Sequence, residues 1–384
     1  MQGAVAQAKL KDFEAPVAVV RPARVEDIEA LVAIENHCFD SDRLTRRNFH
    51  WMLTKANATT LVAEIEGRIV GYILVLYHGA TSLARMYSLA VVPEYRGQGI
   101  AQRLVADAER AASDRDCVYM RLEVRSDNES AIRFYEGAGY KAFGTWPDYY
   151  EDHMEARRYQ KRIKFEAPRS RLMVPFYAQT TYFTCGPAAL MMAMRAHDSS
   201  VPMDKATELQ LWREATTIFM TSGHGGCGPH GLALAAVRRG FRAEVYVSDP
   251  GPLFLDGVRD KDKKAVMRLV HEQFVRETQA FGIPVHGESL TVDGIADKMA
   301  EGGIPIVLIS LFRINRRKSP HWVVLTAADS RFIYAHDPAV EVDMDKTVTD
   351  CIHVPIAKQH FARMAQYGRT QLKAAVIVYP RHSR

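Results

Sequence analysis

From Val17 onward the chain alternates short apolar runs with stretches in which apolar residues recur every three or four positions. Runs of the first kind read as strands and of the second as amphipathic helices. "VAVVRPA" reads as a strand, "VEDIEALVAIENHCF" and "TRRNFHWMLTKA" as helices, and "TLVAEIE" with "RIVGYILVLYHG" as a hairpin turning at Glu66-Gly67. "YSLAVV" predicts a strand entering a Gly-rich turn, and "IAQRLVADAERAA" a helix that starts at once. "CVYMRLEV" is a further strand, "ESAIRFYEGAG" a helix and "EARRYQKRI" a closing strand. The pattern is α/β, without internal repeats. Between Arg157 and Arg171 seven basic residues stand against one acidic residue, and Pro168 interrupts, as in a solvated strand end followed by a linker. Beyond it helical patterns come first, at Cys185–Ala196, Gly231–Arg239 and Lys263–Ala280. The strands "IPIVLISLF", "HWVVLTAA", "RFIYAHD" and "LKAAVIVYP" follow, an order that predicts α+β. The expected organisation is a flexible tail over 1–15, an α/β domain over 16–166 and an α+β domain over 167–384.

Composition adjusts this picture only slightly. A chain of 384 residues, 47% apolar and 25% charged, is ordinary globular material for two cores. Its five cysteines form no CxxC pair and leave an odd number, which favours a reducing compartment, so the cytoplasm is expected. No segment has the apolar core of a signal peptide or the roughly 18 apolar residues of a membrane span, so no membrane association is expected. A net charge of +5 suits an anionic cofactor as well as it suits nucleic acid, which is not an expected partner.

Chemistry enters with "LAVVPEYRGQGIAQRL". Glycines leave successive N–H groups unblocked, and the helix that follows adds positive charge at its N-terminus, so the turn suits a pyrophosphate. In "CVYMRLEVR", Met120, Leu122 and Val124 share one face of a strand, and Glu123 projects from the other beside Arg121 and Arg125. Asn128 and Tyr135 stand two helical turns apart on one stripe. The order strand, Arg-Gly-x-Gly-x-Ala turn, helix, then "RLEVRSDNESAIRFYEGAGY", resembles the GNAT acetyltransferases, and among them the ribosomal-protein alanine N-acetyltransferase type, over about 150 residues. That resemblance implies acetyl-CoA as cofactor. Leu89, Ala90 and Val91 would bond its pantetheine arm, and Arg96, Gly97, Gln98, Gly99, Ile100 and Ala101 its pyrophosphate. Asn128 would contact the cofactor, with Glu123 as general base and Tyr135 as general acid. On the residues alone, Glu123 also reads as a surface carboxylate paired with Arg121 or Arg125, and Tyr135 as a helix-packing aromatic. The acceptor is expected to be a protein or peptide amine, N-terminal for its lower pKa. Asp148, Glu151 and Asp152 in "GTWPDYYEDHMEARRY" are candidates to receive that cation, in what also reads as a hairpin loop.

In the second domain, "QTTYFTCGPAALMMAM" sets Cys185 at the start of a helix, six residues after Gln179. The helix dipole favours a thiolate there, and the Gln179 amide with the Cys185 N–H can bind an oxyanion. "SPHWVVLTAADSRFIYAHDPAV" supplies a hairpin in which His321 opens one strand and Asp337 closes the next, making them neighbours. His336 should face away from Asp337. The Gln, Cys-Gly-Pro, His-Trp, Asp-Pro series resembles the papain-like bacteriocin-processing peptidases that cut after double-glycine leaders. The resemblance implies a papain-like fold, with Cys185 as nucleophile, His321 as base, Asp337 as its orienter and Gln179 at the oxyanion. Alternatives left open are a non-catalytic peptide-binding module and an acyl or amide transferase. In "SGHGGCGPHGLALAAV", His224, Cys227 and His230 straddle a turn and a helix start, so no metal is expected. The basic run Arg313, Arg316, Arg317 and Lys318 reads as a solvated loop or a steering patch. Oligomeric state is not legible.

Overall fold

The computed structural model describes residues 18–164, 170–171, 173–217, 225–253, 255, 258–310, 319–341, 346–368 and 370–381. The expected tail, the boundary at 167, His224 and the four basic residues from Arg313 to Lys318 lie outside them. The chain forms two compact units. The first runs from its first described residue to Leu76 and adds Met86–Asp114 and Glu123–Tyr159. The second takes Tyr77–Arg85, Arg115–Leu122 and the chain from Gln160 onward.

The first sheet has the order β1-β2-β3-β4-β5-β7-β6. Its strands are β1 (Val19–Pro22), β2 (Ala58–Ile65), β3 (Arg68–Tyr77), β4 (Leu83–Val91), β5 (Tyr119–Arg125), β6 (Lys141–Trp146) and β7 (Ala156–Arg162). Helices α1 (Ile28–Cys38), α2 (Arg46–Thr54), α3 (Ile100–Asp114) and α4 (Glu129–Gly137) connect them. Thr45 caps α2 through the Asn48 N–H, and Asn128 caps α4 through the Ala131 N–H. Strand β6 was not anticipated: "KAFGTW" begins two residues after Gly139 and buries little. One feature of the sheet positions chemistry. Strands β4 and β5 pair in parallel over Leu83–Arg85 and Tyr119–Arg121, yet β4 continues to Val91 and β5 to Arg125. Past Arg85 the two strands part.

In the second unit the sheet order is β10-β9-β15-β11-β12-β13-β14, with β8 (Ser170–Arg171) on β12. Here β9 is Phe241–Val247, β10 Val285–His286, β11 Ile304–Ser310, β12 Pro320–Ala328, β13 Phe332–His336, β14 Val354–Ala357 and β15 Ala374–Arg381. Both faces of this sheet are covered. Ile306, Leu308, Trp322, Val324, Val376 and Val378 pack with α5 (Cys185–His197), α6 (Lys205–Ala215) and α7 (Pro229–Val237). Val307, Ile309, Val323, Leu325 and Ile377 pack on the other side with α9 (Val292–Ala300) and α10 (Lys358–Met364). Burial on two faces is why "IPIVLIS" and "AAVIV" read as unbroken apolar runs. The central helix α5 is buried from Gly186 to Met194, and each of Leu190, Met191, Met192 and Met194 contributes about 1.5–3 kcal/mol. The expected order of helices before strands needs correction. Strand β9 lies between α7 and α8 (Lys261–Ala280), and joins the sheet by pairing with β15.

Candidate active sites

In the first unit the Gly-rich turn follows a short 3-10 turn at Pro93–Tyr95 and delivers the chain to α3. Gly97 and Gly99 have φ of +76° and +78°, a region that costs any residue with a Cβ, and a Cβ at either would meet nothing within 4 Å. The turn is therefore held by backbone conformation and left open at its surface. Arg96 donates through Nε to the Val91 carbonyl at 2.9 Å, locking the turn to the end of β4 and occupying one backbone group of the expected Leu89–Val91 contact strand. Diverging strands beside a glycine turn and a helix N-terminus fit acetyl-CoA, with a strand edge for amides and a cluster of N–H groups for phosphates.

Glu123 is half-buried on β5, Asn128 caps α4, and Tyr135 is buried on α4 with Tyr140 at 5.7 Å. Burial pushes the Tyr135 phenol up, so it stays protonated at neutral pH. The neighbours expected for Glu123 are engaged elsewhere. Arg125 pairs with Asp127 and Asp152, and Arg121 is fully buried within the second unit, donating to the carbonyls of Thr349, Ile352 and His353. The acidic loop also differs from expectation. Asp152 is held by the Arg125 guanidinium and Asp148 by the His153 ring, so two of the three carboxylates already have partners. A buried network missed in the sequence joins Glu35 on α1 to the Tyr72 hydroxyl, which is 2.7 Å from Ser88 on β4. Its signal is a lone Glu on the apolar stripe of α1.

In the second unit Cys185 is the first residue of α5 and remains partly exposed. His321 and Asp337 are buried, with Nε2 and Oδ1 2.6 Å apart, so Nδ1 is the nitrogen left to face Cys185. The register Val324↔His336 and Leu325↔Ala335 brings the two strand ends together. Burial opposes ionisation of Cys185, but the charge and hydrogen bond of His321 and the N–H groups of Trp322 and Gly186 outweigh it and hold the thiol below its ordinary value. Burial likewise opposes protonation of His321, yet the charges of Asp337 and Cys185 push it up to about 10. Both shifts favour a thiolate beside an imidazolium.

Two residues that the sequence did not single out complete this site. Lys346 donates to Asp337 Oδ2 at 2.6 Å, and both are buried. Burial opposes charge on Asp337, and Lys346 and then His321 overcome it and hold the carboxyl far below its usual range. Glu208 on α6 is fully buried and accepts from the Tyr177 hydroxyl, the Thr180 N–H and hydroxyl, and the Thr184 hydroxyl, pinning the loop that leads into Cys185. Gln179 lies in that loop. Its backbone N–H donates to Pro338 O at 2.9 Å, and its Nε2 donates to Thr181 O at 2.9 Å, which leaves one amide N–H for an oxyanion. His336 faces elsewhere, bonded to Val174 O and the His353 N–H. Cys227 is core, and His230 sits beside the Thr278 hydroxyl with its ring edge-on to His271.

Residues 26–140 match the profile described as Acetyltransferase (GNAT) family, and residues 174–379 the profile described as Peptidase_C39 like family. A protein of Bacillus subtilis (strain 168) named "putative ribosomal protein bS18-alanine N-acetyltransferase" is 32% identical over 138 residues, 36% of this chain and 90% of that relative. An uncharacterised N-acetyltransferase of Methanocaldococcus jannaschii is 35% identical over 139 residues, 36% of this chain and 87% of its own length. The ribosomal-protein-S18-alanine N-acetyltransferase structure from Escherichia coli aligns at a TM-score of 0.36 with 19% identity, covering 40% of this chain and 98% of that one. Among the described residues no helix is long and apolar enough to cross a membrane. The chain therefore belongs to the GNAT acetyltransferases through its first part and, through residues 174–379, to the Peptidase_C39 like family.

Proposed function

We propose that the chain is a bifunctional enzyme: an acetyl-CoA-dependent N-acetyltransferase of protein or peptide amines over residues 16–166, and a cysteine peptidase over residues 167–384. The observation that carries the second activity is the Cys185, His321, Asp337 relay, with its nucleophile at a helix N-terminus and its base and orienter buried 2.6 Å apart. The Cys185 thiolate attacks a peptide carbonyl. The Gln179 amide and the Cys185 N–H receive the oxyanion, and the Nδ1 proton of His321 passes to the departing amine. His321 then takes a proton from water, whose oxygen displaces the thiolate and releases the acid.

In the first unit, acetyl-CoA supplies an activated acetyl thioester when bound. Arg96–Ala101 would hold its phosphates with backbone N–H groups, and β4 past Arg85 would align its arm. Glu123 accepts a proton from the acceptor ammonium through water, and the neutral phenol of Tyr135 returns one to the leaving thiolate. Mass spectrometry of a peptide library incubated with the protein, with and without acetyl-CoA, tests both halves. Acetyl adducts of +42 Da that require acetyl-CoA, and cleavage products that vanish in Cys185→Ala, are expected. Absence of either product class removes the corresponding half.

A further inference from the structure

Arg158 lies on β7 and is 8% exposed. Ile163 N donates to Val118 O and Ser126 N to Glu155 O, so β5 and β7 run antiparallel in a register that sets Arg158 directly opposite Glu123. The guanidinium carbon sits 5.1 Å from the centre of the Phe143 ring. Room for it comes from Gly144 on β6, where a Cβ would collide with Nη2. Its Nε and Nη1 are buried and have no hydrogen-bond partner among the described residues. Burial opposes its charge and the Glu123 carboxylate opposite supports it, so the two unbonded nitrogens remain for a further acceptor. The neighbouring cations on β5 show the contrast: Arg125 takes two carboxylates and Arg121 three carbonyls.

We propose that Arg158 anchors a carboxylate carried by the acetyl acceptor, so that the first unit prefers peptides whose first residue is Asp or Glu. This rests on the acetyl-transfer reading with Glu123 as base. Directly opposed side chains in an antiparallel pair stand about 4.5–5.5 Å apart at Cβ, a spacing that the α-amino group and side-chain carboxylate of one acidic residue can bridge. The amine then faces Glu123 and the carboxylate faces Arg158. Asp152, which would repel an anionic acceptor, is neutralised by Arg125, and Asp148 is bonded to the His153 ring.

The test is kcat/KM for acetyl transfer to matched peptides beginning with Asp, Glu, Asn, Gln, Ala or Ser, using the full chain, Arg158→Met and Arg158→Lys. The wild type should favour Asp over Asn and Glu over Gln by about tenfold to a hundredfold, as a charge-assisted hydrogen bond supplies. Arg158→Met should bring those ratios within about twofold while the Asn and Gln peptides keep most of their rate, and Arg158→Lys should restore part of the preference. The wild-type ratios stand without any variant, so a misfolded Arg158→Met leaves the inference testable. Acetylation without acidic preference, or an equal loss on every peptide in Arg158→Met, overturns this inference alone. Failure to acetylate any peptide takes down the acetyl-transfer reading and this inference with it.

Discussion

Replacing Lys346 by Met shifts the charge of the buried relay by one. With Lys346 present, a Cys185 thiolate, His321 imidazolium, Asp337 carboxylate and Lys346 ammonium sum to zero. Without it the remaining three carry one net negative charge, and each binds a proton more tightly. The sign is therefore the same for both limbs of the Cys185 alkylation profile: the acid limb, where the thiolate forms, and the alkaline limb, where His321 loses its proton near pH 10, both move to higher pH. Two charges roughly 10 Å apart at an effective dielectric of about 20 interact by about 1.7 kcal/mol, a shift of about one pH unit. Alkylation by iodoacetamide on the acid limb should fall about tenfold, and recover one unit higher. Unfolding by urea should also show a loss of about 3–5 kcal/mol, because Asp337 remains buried with one partner fewer. A folded Lys346→Met protein whose acid limb stays in place, or moves down, would refute this reasoning.

At pH 6.5 Cys185 should alkylate at least about tenfold faster than Cys38, Cys117, Cys227 and Cys351, whose thiols burial pushes up, and His321→Ala should erase that difference in residue-resolved labelling. Stability should fall on both sides of a plateau. His321 adds stability that is complete below its ordinary 6.5 and lost as pH rises through about 10, and Asp337 adds stability that is complete above its ordinary 3.8 and lost as pH falls toward its depressed value. Urea midpoints at pH 3, 6 and 9.5 measure this, and in Cys185→Ala the alkaline loss should begin earlier. Gly99→Asp should weaken acetyl-CoA binding in calorimetry, by a strained φ and by a carboxylate at a phosphate cradle, while leaving peptide cleavage intact. Glu208→Ala takes the acceptor from the part-buried Thr180 N–H and one of two acceptors from the buried Thr184 hydroxyl, so it should cost about 1–2 kcal/mol and slow cleavage more than it slows alkylation.

The two units were not equally legible, and the reason is where each keeps its specification. In the first, the strands, the turn and the helix that follows are contiguous, and the divergence of β4 from β5 needs no residue far away in sequence. Local pattern therefore carries the site. In the second, the hairpin register made His321 and Asp337 legible because only sixteen residues separate them. Strand β9 was missed although Phe241, Ala243 and Val245 alternate with Arg242 and Glu244 after Gly240, the pattern of a half-buried strand. Its partner β15 is more than a hundred residues away, so nothing nearby announced a sheet.

Lys346 and Glu208 escaped for a deeper reason. A buried lysine and a buried glutamate look, in one dimension, like the many solvated charges around them, and only the acceptors and donors that meet them in the fold reveal otherwise. The same holds for Arg158, which sits in a basic run that reads as a solvated strand end and yet is buried opposite Glu123. Charge is thus the least legible element of both sites. The proposed nucleophile, the proposed bases and the glycines are read from type and spacing, whereas the counter-charges beside them become visible only once burial is known.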